Sequence, residues 1–493
     1  MSDKTYSYDV LIVGAGNAAC SAALAALEKK VSIGILEKAP KRERGGNSAM
    51  TGHIRFVFNG IEDLRPLVRN TSDKELSALL EGGLAHRTEA EFWDEIMRVT
   101  DNQSDQEMLE VHVTESLKTV HWLASKGHDW VPPTKTNDNV VTMNGGGAGL
   151  QKRNFEMLER AGVTFHYDTS AVELIQDGRG AIVGVRAFTP EGIATFNAKS
   201  VVLACGGFEA NAEMRARYIG PGWDTVRVRG VPFNTGDGLR MALDVGALPH
   251  GSWSSCHASP QDVNMPFFTV PSTHAYASST NRYMYPYSIM VNTKGERFVD
   301  EGEDTRGRTY AKMGRAILAQ PGGVAFQIMD AKFRALNMYP VTYGEATTAK
   351  EDSLEKLADE LGIDGARFVQ TVTEFNAAIQ PGEFNPNRHV LDGKRTAGIY
   401  PPKSNYSLSI DKGPFEAWPV RCGITFTFGG LKIDPRTAQV QHVAGRPLPG
   451  LYAAGELVGG LFIGNYASGS GMMAGATFGR IAGTHAGMAA AKA

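Results

Sequence analysis

The sequence predicts an α/β protein of two or three domains, with a parallel sheet laid down first. Two observations predict it. YDVLIVGAGNAACSAALAALEKKVSIGILEKA, near the start, reads as strand, glycine turn, helix, strand. Consecutive strands joined through a helix pair in parallel. The chain is also 493 residues long, more than one hydrophobic core usually supports.

Each element of the opening unit has its own reason. Val10 to Val13 make a short buried strand, and MSDKTYSYDV is a polar lead into it. Ala18 to Leu27 form a helix of small residues that packs tightly on a sheet. Val31 to Leu36 form the second strand, which ends in Glu37. Gly14, Gly16 and Ala19 give the spacing GxGxxA. Gly14 allows the tight turn. Gly16, with Asn17 and Ala18 after it, lets the backbone approach a pyrophosphate seated on the helix N-terminus. Glu37, followed by Lys38, is placed to accept hydrogen bonds from ribose hydroxyls. Together these parts predict a Rossmann-like dinucleotide site. The alternative is a glycine turn with no ligand.

Composition narrows the function. Hydrophobic residues make up 42% and charged residues 21%, ordinary for a globular protein. A net charge of -3 carries no basic bias, so nucleic acid is not an expected partner. Cys20, Cys205, Cys256 and Cys422 are scattered without a CxxC, which argues against a metal site, an iron–sulfur cluster or a disulfide framework. No signal peptide is recognised, and no apolar run is long enough to span a membrane. A cytoplasmic location is expected. The 56 glycines fall in short clusters between apolar runs, as loops close to a ligand require.

The densest cluster is RGGNSAMTGHIRF at 44–56. It follows Glu37 where a nicotinamide site would continue the sheet. A flavin carries a ribityl chain and a tricyclic ring beyond its adenosine. Gly45, Gly46, Asn47 and Ser48 offer backbone N–H groups and short side chains along that length.

EKxxxxxxGGNS, with the fingerprint before it, resembles the flavoprotein superfamily of fumarate reductases, succinate dehydrogenases and 3-ketosteroid dehydrogenases. AKSVVLACGGFEAN at 198–211, NTGDGLRMALDVGA at 234–247 and LPGLYAAGELVGGLFIGNYASGSGMMAGATFGRIAG at 448–483 are similar to the superfamily's motifs in the same order. The resemblance implies FAD, held by a discontinuous, glutathione-reductase-like domain at 1–245 and 418–493. An α+β capping domain at 246–417 would be inserted, with amphipathic helices at 354–363 and 366–379 and a loop at PGEFNPNRH. It adds Gly52, Ala171, Ala204, Gly206, Gly455 and Glu456 to the cofactor set. A helix opening at Ser470, Gly471 and Met472 would aim its dipole at the flavin ring. Membrane-bound fumarate reductases attach flavin to a histidine where Asn47 stands, so non-covalent FAD is expected. RGGNS, EFWDEIMRVT at 91–100, MNGGGAGLQKRNFEMLERAGV at 143–163 and GITFTFGGLKID at 423–434 together most resemble the tricarballylate dehydrogenase branch.

Desaturating a C–C bond with a flavin moves a hydride from one carbon and a proton from its neighbour. The second carbon is acidic only beside a carboxylate or carbonyl, so the site needs donors and a proton acceptor. GERFVDEGEDTRGR at 295–308 is similar to the segment that leads to the proton-shuttling arginine of fumarate reductases. Arg306 is the best match and Arg308 the near alternative, with Glu301 and Asp304 continuing a path. Arginine is a natural acid and an awkward base. His257, in WSSCHASPQD, falls at a substrate-binding histidine of those enzymes, and Tyr466 at a carboxylate-clamping arginine. Phe426 replaces a clamping histidine, with Thr425 and Thr427 as remaining donors. Arg55 is a spare cation for a distal carboxylate. The structural alternatives are a charged surface loop, a core histidine, a ring packed under the flavin and, for Arg55, a salt bridge.

Three functions follow. The first is an FAD-dependent dehydrogenase acting on a C–C bond beside a carboxylate or ketone, with a polycarboxylate or keto compound as substrate. The second is an enoate reductase or ketosteroid-type desaturase, suggested by Phe426, Tyr466 and YMYPY at 283–287. The third is a non-catalytic electron-relay subunit. No haem or cluster motif is present, so electrons would pass through a separate partner or a quinone.

Overall fold

The computed structural model describes residues 4–68, 71–81, 87–132, 141–270, 280–336, 346–387 and 390–492. Strand β1 (Lys4–Val13) leads into helix α1 (Asn17–Leu27), and β2 (Ile33–Leu36) follows. The parallel register Val10↔Ile33 to Val13↔Leu36 closes the expected unit. β1 begins at Lys4, because Lys4 to Tyr8 pair with a strand that the sequence does not signal locally. The polar lead is therefore strand from Lys4 onward, while residues 1–3 of it lie outside the described residues.

That partner strand is laid down after α2 (Glu89–Val99) and α3 (Gly146–Arg160). β3 (Thr164–His166) extends the sheet beside β2, and β4 (Ser170–Gln176), β5 (Ile182–Thr189) and β6 (Gly192–Leu203) return to β1. β6 pairs in parallel with β1 as far as Val13↔Leu203. Val10, Leu11, Ile12, Val201, Val202 and Leu203 have no exposed surface, as expected for parallel strands covered on both faces.

Next come α4 (Asp237–Asp244), β7 (Pro249–Asp262), β8 (Ile289–Asn292), α5 (Arg306–Leu318) and β9 (Val324–Met329). α6 (Leu354–Leu361) and α7 (Gly365–Ala378) match the two expected amphipathic helices to within two residues. Residues 381–387 carry no regular structure, and Arg388 and His389 of the same expected loop lie outside the described residues. β10 (Phe415–Leu431) then runs 17 residues without a break. A second sheet forms in the order β7–β10–β9–β8, with short strands Arg227–Val228 and Ala349–Glu351 also on β10. β10 meets β9 at Met329↔Glu416 and β7 at His257↔Phe426. The expected 417/418 boundary falls inside this strand.

β11 (Gln439–Gln441), β12 (Pro447–Ala453) and α8 (Ser470–Lys492) bring the chain home. β12 pairs in parallel with β6, giving the first sheet the order β11–β12–β6–β1–β2–β3. α8 lies along α1, and glycine makes that contact possible. A Cβ on Gly483 would stand 2.0 Å from the Ala22 carbonyl oxygen, and one on Gly479 would stand 2.4 Å from that of Ala18. Among the described residues no helix is long and apolar enough to cross a membrane.

Candidate active site

A cavity of about 440 Å³ runs from the carboxyl ends of β1 and β2 to the second sheet. Its first end is built by the glycine turn. Gly14 has φ +104°, and a Cβ there would stand 2.4 Å from the Ala204 carbonyl oxygen. Gly16 caps α1 with no side-chain acceptor, and the first turn of α1 carries no acid. Ser48 Oγ takes the Asn17 N–H, and the N–H groups of Ala18 and Ala19 that follow are left for an anion. Asn17 donates Nδ2–H to the Met472 carbonyl at 2.8 Å, while its buried Oδ1 has no partner. Ala18, Gly46, Ser48 and Gly52 also line the cavity, and Ser48 Oγ accepts from Asn17 N at 3.1 Å.

Glu37 lines the same end, and burial pushes its carboxyl up to about 7 against the Ala39 N–H it accepts. Lys38 donates to Thr235 Oγ1 at 2.6 Å and Asp237 Oδ2 at 2.8 Å, tying β2 to the TGDG turn. Ala171, Ala204, Gly206, Gly455, Glu456, Gly471 and Met472 complete the expected wall. Gly45 and Ser470 stand off the lining. Gly45 turns the chain at φ +108° and its carbonyl accepts from Gln151, while Ser470 Oγ is buried without a partner. Unpartnered donors at the start of α1 and a carboxylate at the end of β2 suit a dinucleotide.

Asn47 acts as a rivet. Nδ2 donates to Glu209 Oε1 at 2.8 Å and the Thr425 carbonyl at 2.9 Å, and Oδ1 accepts from Val231 N at 2.9 Å. Glu209 is fully buried, and Glu456 beside it is half-buried on the cavity wall. Burial first, then the Glu456 charge, hold the Glu209 carboxyl well above the usual range. Thr427 donates Oγ1–H to Glu456 Oε1 at 3.0 Å and accepts from Phe208 N. Thr427 therefore supports Glu456 from behind and is not on the cavity wall, contrary to its expected place beside substrate.

The far end is aromatic and cationic. His257 on β7 is buried with Nε2 unpartnered, and burial holds it neutral, well below its ordinary pKa. Its ring lies 4.8 Å from Tyr310 and 5.1 Å from Tyr466. Tyr466 Oη accepts N–H bonds from Gly469 and Gly471, both at 3.1 Å. The Gly471 N–H at the opening of α8 is thus taken by the phenol. Burial raises the Tyr466 phenol, and those two N–H groups oppose the rise. Arg306 opens α5 with its guanidinium 5.6 Å from the Tyr283 ring centroid. Arg229 lies 6.0 Å from the same ring, donating to Asn281 Oδ1 at 2.7 Å and Thr425 Oγ1 at 3.4 Å.

Two expected cations lie elsewhere. Arg55 pairs with Glu95 Oε2 at 2.5 Å and donates to the Ser468 carbonyl at 2.6 Å. Arg308 pairs with Glu95 Oε1 at 3.2 Å and Asp304 Oδ1 at 3.3 Å. Neither side chain lines the cavity. Both are drawn to Glu95 on α2, a nearly buried carboxylate. Burial would raise it, but Arg55, Arg87 and Arg308 outweigh that and hold it at about 2. Glu301 pairs with Arg297 at 2.6 Å, and Asp304 also pairs with Arg98 at 2.7 Å. The sequence singles out neither Arg229, Asn281, Tyr310 nor Ser468, all on the wall, and it points to Tyr283 and His53 only through the segments YMYPY and HIRF. Of the first four only Tyr310 carried a signal, lying four residues after Arg306 on the same helix face.

A phosphate-ready glycine turn on one sheet, joined by one cavity to the buried imidazole of His257 on the other, the phenol of Tyr466 and the guanidinium of Arg306 on α5, defines a dinucleotide-dependent redox protein. The chain belongs to the family described as FAD binding domain, whose pattern matches residues 9–472, and its cofactor is FAD. It is 28% identical to the NADH:acrylate oxidoreductase of Vibrio harveyi, over 98% of this chain and 51% of that protein. The chain thus spans about half the length of that relative. It is 26% identical to a flavocytochrome c3 fumarate reductase solved in an open conformation, with TM-score 0.72 over 98% of this chain and 79% of that one. A 3-ketosteroid Δ1-dehydrogenase from Sterolibacterium denitrificans has TM-score 0.74 at 21% identity, over 98% of this chain and 99% of that one, and shares the fold.

Proposed function

We propose that this protein is an FAD-dependent oxidoreductase that moves hydrogen across a C–C bond beside a carboxylate. The observation that carries it is the pair of guanidinium groups, Arg229 and Arg306, over the one ring of Tyr283 at the end of the cavity away from the glycine turn. Bound FAD, held non-covalently, supplies a hydride acceptor or donor. The chain does the rest. Arg229, backed by Asn281 and Thr425, holds the substrate carboxylate. Neutral His257 offers Nε2 to a second oxygen. Tyr466 accepts two N–H bonds, so its own proton is left to donate. Arg306 moves the proton at the carbon next to the carboxylate. An arginine gives a proton more readily than it takes one, which favours reduction of an unsaturated acid, as does the likeness to a fumarate reductase. The separate electron partner is a protein or a quinone.

The finer reading is a polycarboxylate of the tricarballylate kind, supported by Thr425–Phe426–Thr427 and by two arginines on the wall. Phe426, Phe462 and Tyr466, packed 5.0–6.0 Å apart, support a second reading, a keto substrate with an apolar body. The test is anaerobic. Tricarballylate, succinate and a 3-ketosteroid are added to the oxidised FAD-loaded protein, and cis-aconitate, fumarate and acrylate to the dithionite-reduced protein. A change in the flavin band with an acid supports the proposal, and a change with the steroid alone selects the second reading. No change in either direction sinks both and leaves the electron-relay reading.

A further inference from the structure

One carboxyl group stands behind the cavity wall where two of its segments meet. Glu209 follows β6, has no exposed surface and does not itself line the cavity. Its Oε1 accepts from Asn47 Nδ2 at 2.8 Å and from Asn234 Nδ2 at 2.6 Å, and both asparagines are on the wall. Asn47 belongs to the glycine loop after β2, and Asn234 to the turn before α4. Glycine keeps the room for this junction. A Cβ on Gly206 would stand 2.7 Å from Asn234 Oδ1, and one on Gly230 would stand 2.7 Å from Asn47 Oδ1. Asn47 has both N–H donors engaged, the second on the Thr425 carbonyl, and its Oδ1 accepts from Val231 N. Asn234 has its Nδ2 turned to Glu209, which leaves its Oδ1 as an acceptor for a hydroxyl or N–H group on the cofactor.

The carboxyl itself meets no cation among the described residues, and its Oε2 is buried without a partner. Arg215 comes close, yet it donates to the backbone carbonyls of Glu209, Trp223, Asp224 and Val226 instead. A carboxylate so placed would hold a bare charged oxygen in a dry interior. A neutral acid keeps Oε1 as the acceptor for both amides and carries no charge. We propose that Glu209 is a positioning residue for the cofactor, which as a neutral acid sets the amides of Asn47 and Asn234 without placing a charge behind the wall. Burial, and then the Glu456 charge, favour that form. The titratable groups that feel Glu209 are Glu456, Arg215 and Cys256. A negative charge at Glu209 would repel the pyrophosphate and the electrons that a flavin gains on reduction. The inference needs the FAD and not the reaction proposed above.

The test therefore uses no substrate. FAD-loaded wild-type protein, Glu209→Gln, Glu209→Ala and Asn234→Ala are compared in the rate of flavin release on dilution. The flavin midpoint potential is read against redox dyes at neutral pH. Glutamine keeps the acceptor oxygen and the lack of charge, so Glu209→Gln should match wild type in both. Glu209→Ala and Asn234→Ala should each release FAD about 10-fold faster, and the two losses should not multiply in the double variant. In the infrared spectrum Glu209→Gln should remove one C=O band of a protonated carboxyl, a band that isotope-labelled glutamate shifts. A Glu209→Gln variant that fails to fold, sheds FAD as Glu209→Ala does or moves the potential shows a charged carboxyl and overturns the proposal. So does an infrared spectrum that loses no such band, or an Asn234→Ala variant that holds FAD as wild type does, or losses that multiply. Should Glu209→Ala not fold, Asn234→Ala and the infrared band decide. Absence of reaction with every acid leaves these readouts untouched and sinks the proposed function alone.

Discussion

Arg306 and Arg308 stand two residues apart and have different surroundings. Arg306 faces Tyr283 across the cavity, whereas Arg308 is turned to Glu95. Motif similarity narrows the choice to this pair, and the helix phase of α5 separates them. Arg306→Ala should keep FAD bound and lower turnover by about 10²–10⁴-fold. Flavin content and kcat measured on the same sample check it, and ordinary turnover would remove Arg306 from the mechanism. Tyr466→Phe leaves the N–H groups of Gly469 and Gly471 without their acceptor, so the loss should show in stability as well as rate, at about 1–3 kcal/mol. Denaturant unfolding measures it. What the sequence made legible at this scale were residues with fixed neighbours along the chain, such as Gly14, Glu37 and Glu456. Arg229 was illegible because it reaches Tyr283 and Asn281 only once β7, β10 and the 227–231 segment have packed. For Arg55 the salt-bridge alternative is the one that the structure shows, though nothing in HIRF tells that Glu95, forty residues on, will be its partner.

At the scale of elements, the packing of α8 on α1 is the contact that the cofactor end depends upon. Both helices begin beside the glycine turn, and Asn17 joins them through the Met472 carbonyl. Gly483→Val would drive a side chain into the α1 backbone at Ala22, where no rotamer change relieves it. The expected result is a loss of stability of at least about 1–3 kcal/mol with weaker FAD retention, read by thermal unfolding and by flavin released on dilution. An unchanged melting temperature would mean that α8 can shift outward. α1, β2, α6 and α7 were all readable from local periodicity. The length of β1 was not, since Lys4 to Tyr8 become strand only through β6, nearly two hundred residues later.

For the whole molecule, buried histidines and buried carboxylates together set the response to acid. Burial holds His112 down to about 3 and His128 to about 4, and His257 well below its ordinary value. Each is lowered relative to about 6.5 in the unfolded chain, so the unfolded chain takes up protons first. Their contribution is complete above about pH 6.5 and is lost as pH falls toward 4 and then 3. Glu95, at about 2 against an unfolded carboxylate near 4.3, adds a second loss below about pH 4. Glu37, raised to about 7, and Glu209, also raised, act in the opposite sense between about pH 7 and 4.3, so urea midpoints should fall most steeply below about pH 4, and His112→Leu should make them less sensitive to acid. An identical slope in the variant would clear His112. One feature also constrains motion. β10 is one strand of 17 residues, about 56 Å at the usual rise, and it runs from its pairing with β9 at Glu416 to the cavity wall at Thr425 and Phe426. A beam of this kind transmits tilt and forbids folding at its middle. Admission of substrate then falls to the surface loops, and a pair of spin labels at the two ends of the beam should keep one separation with the cavity filled or empty.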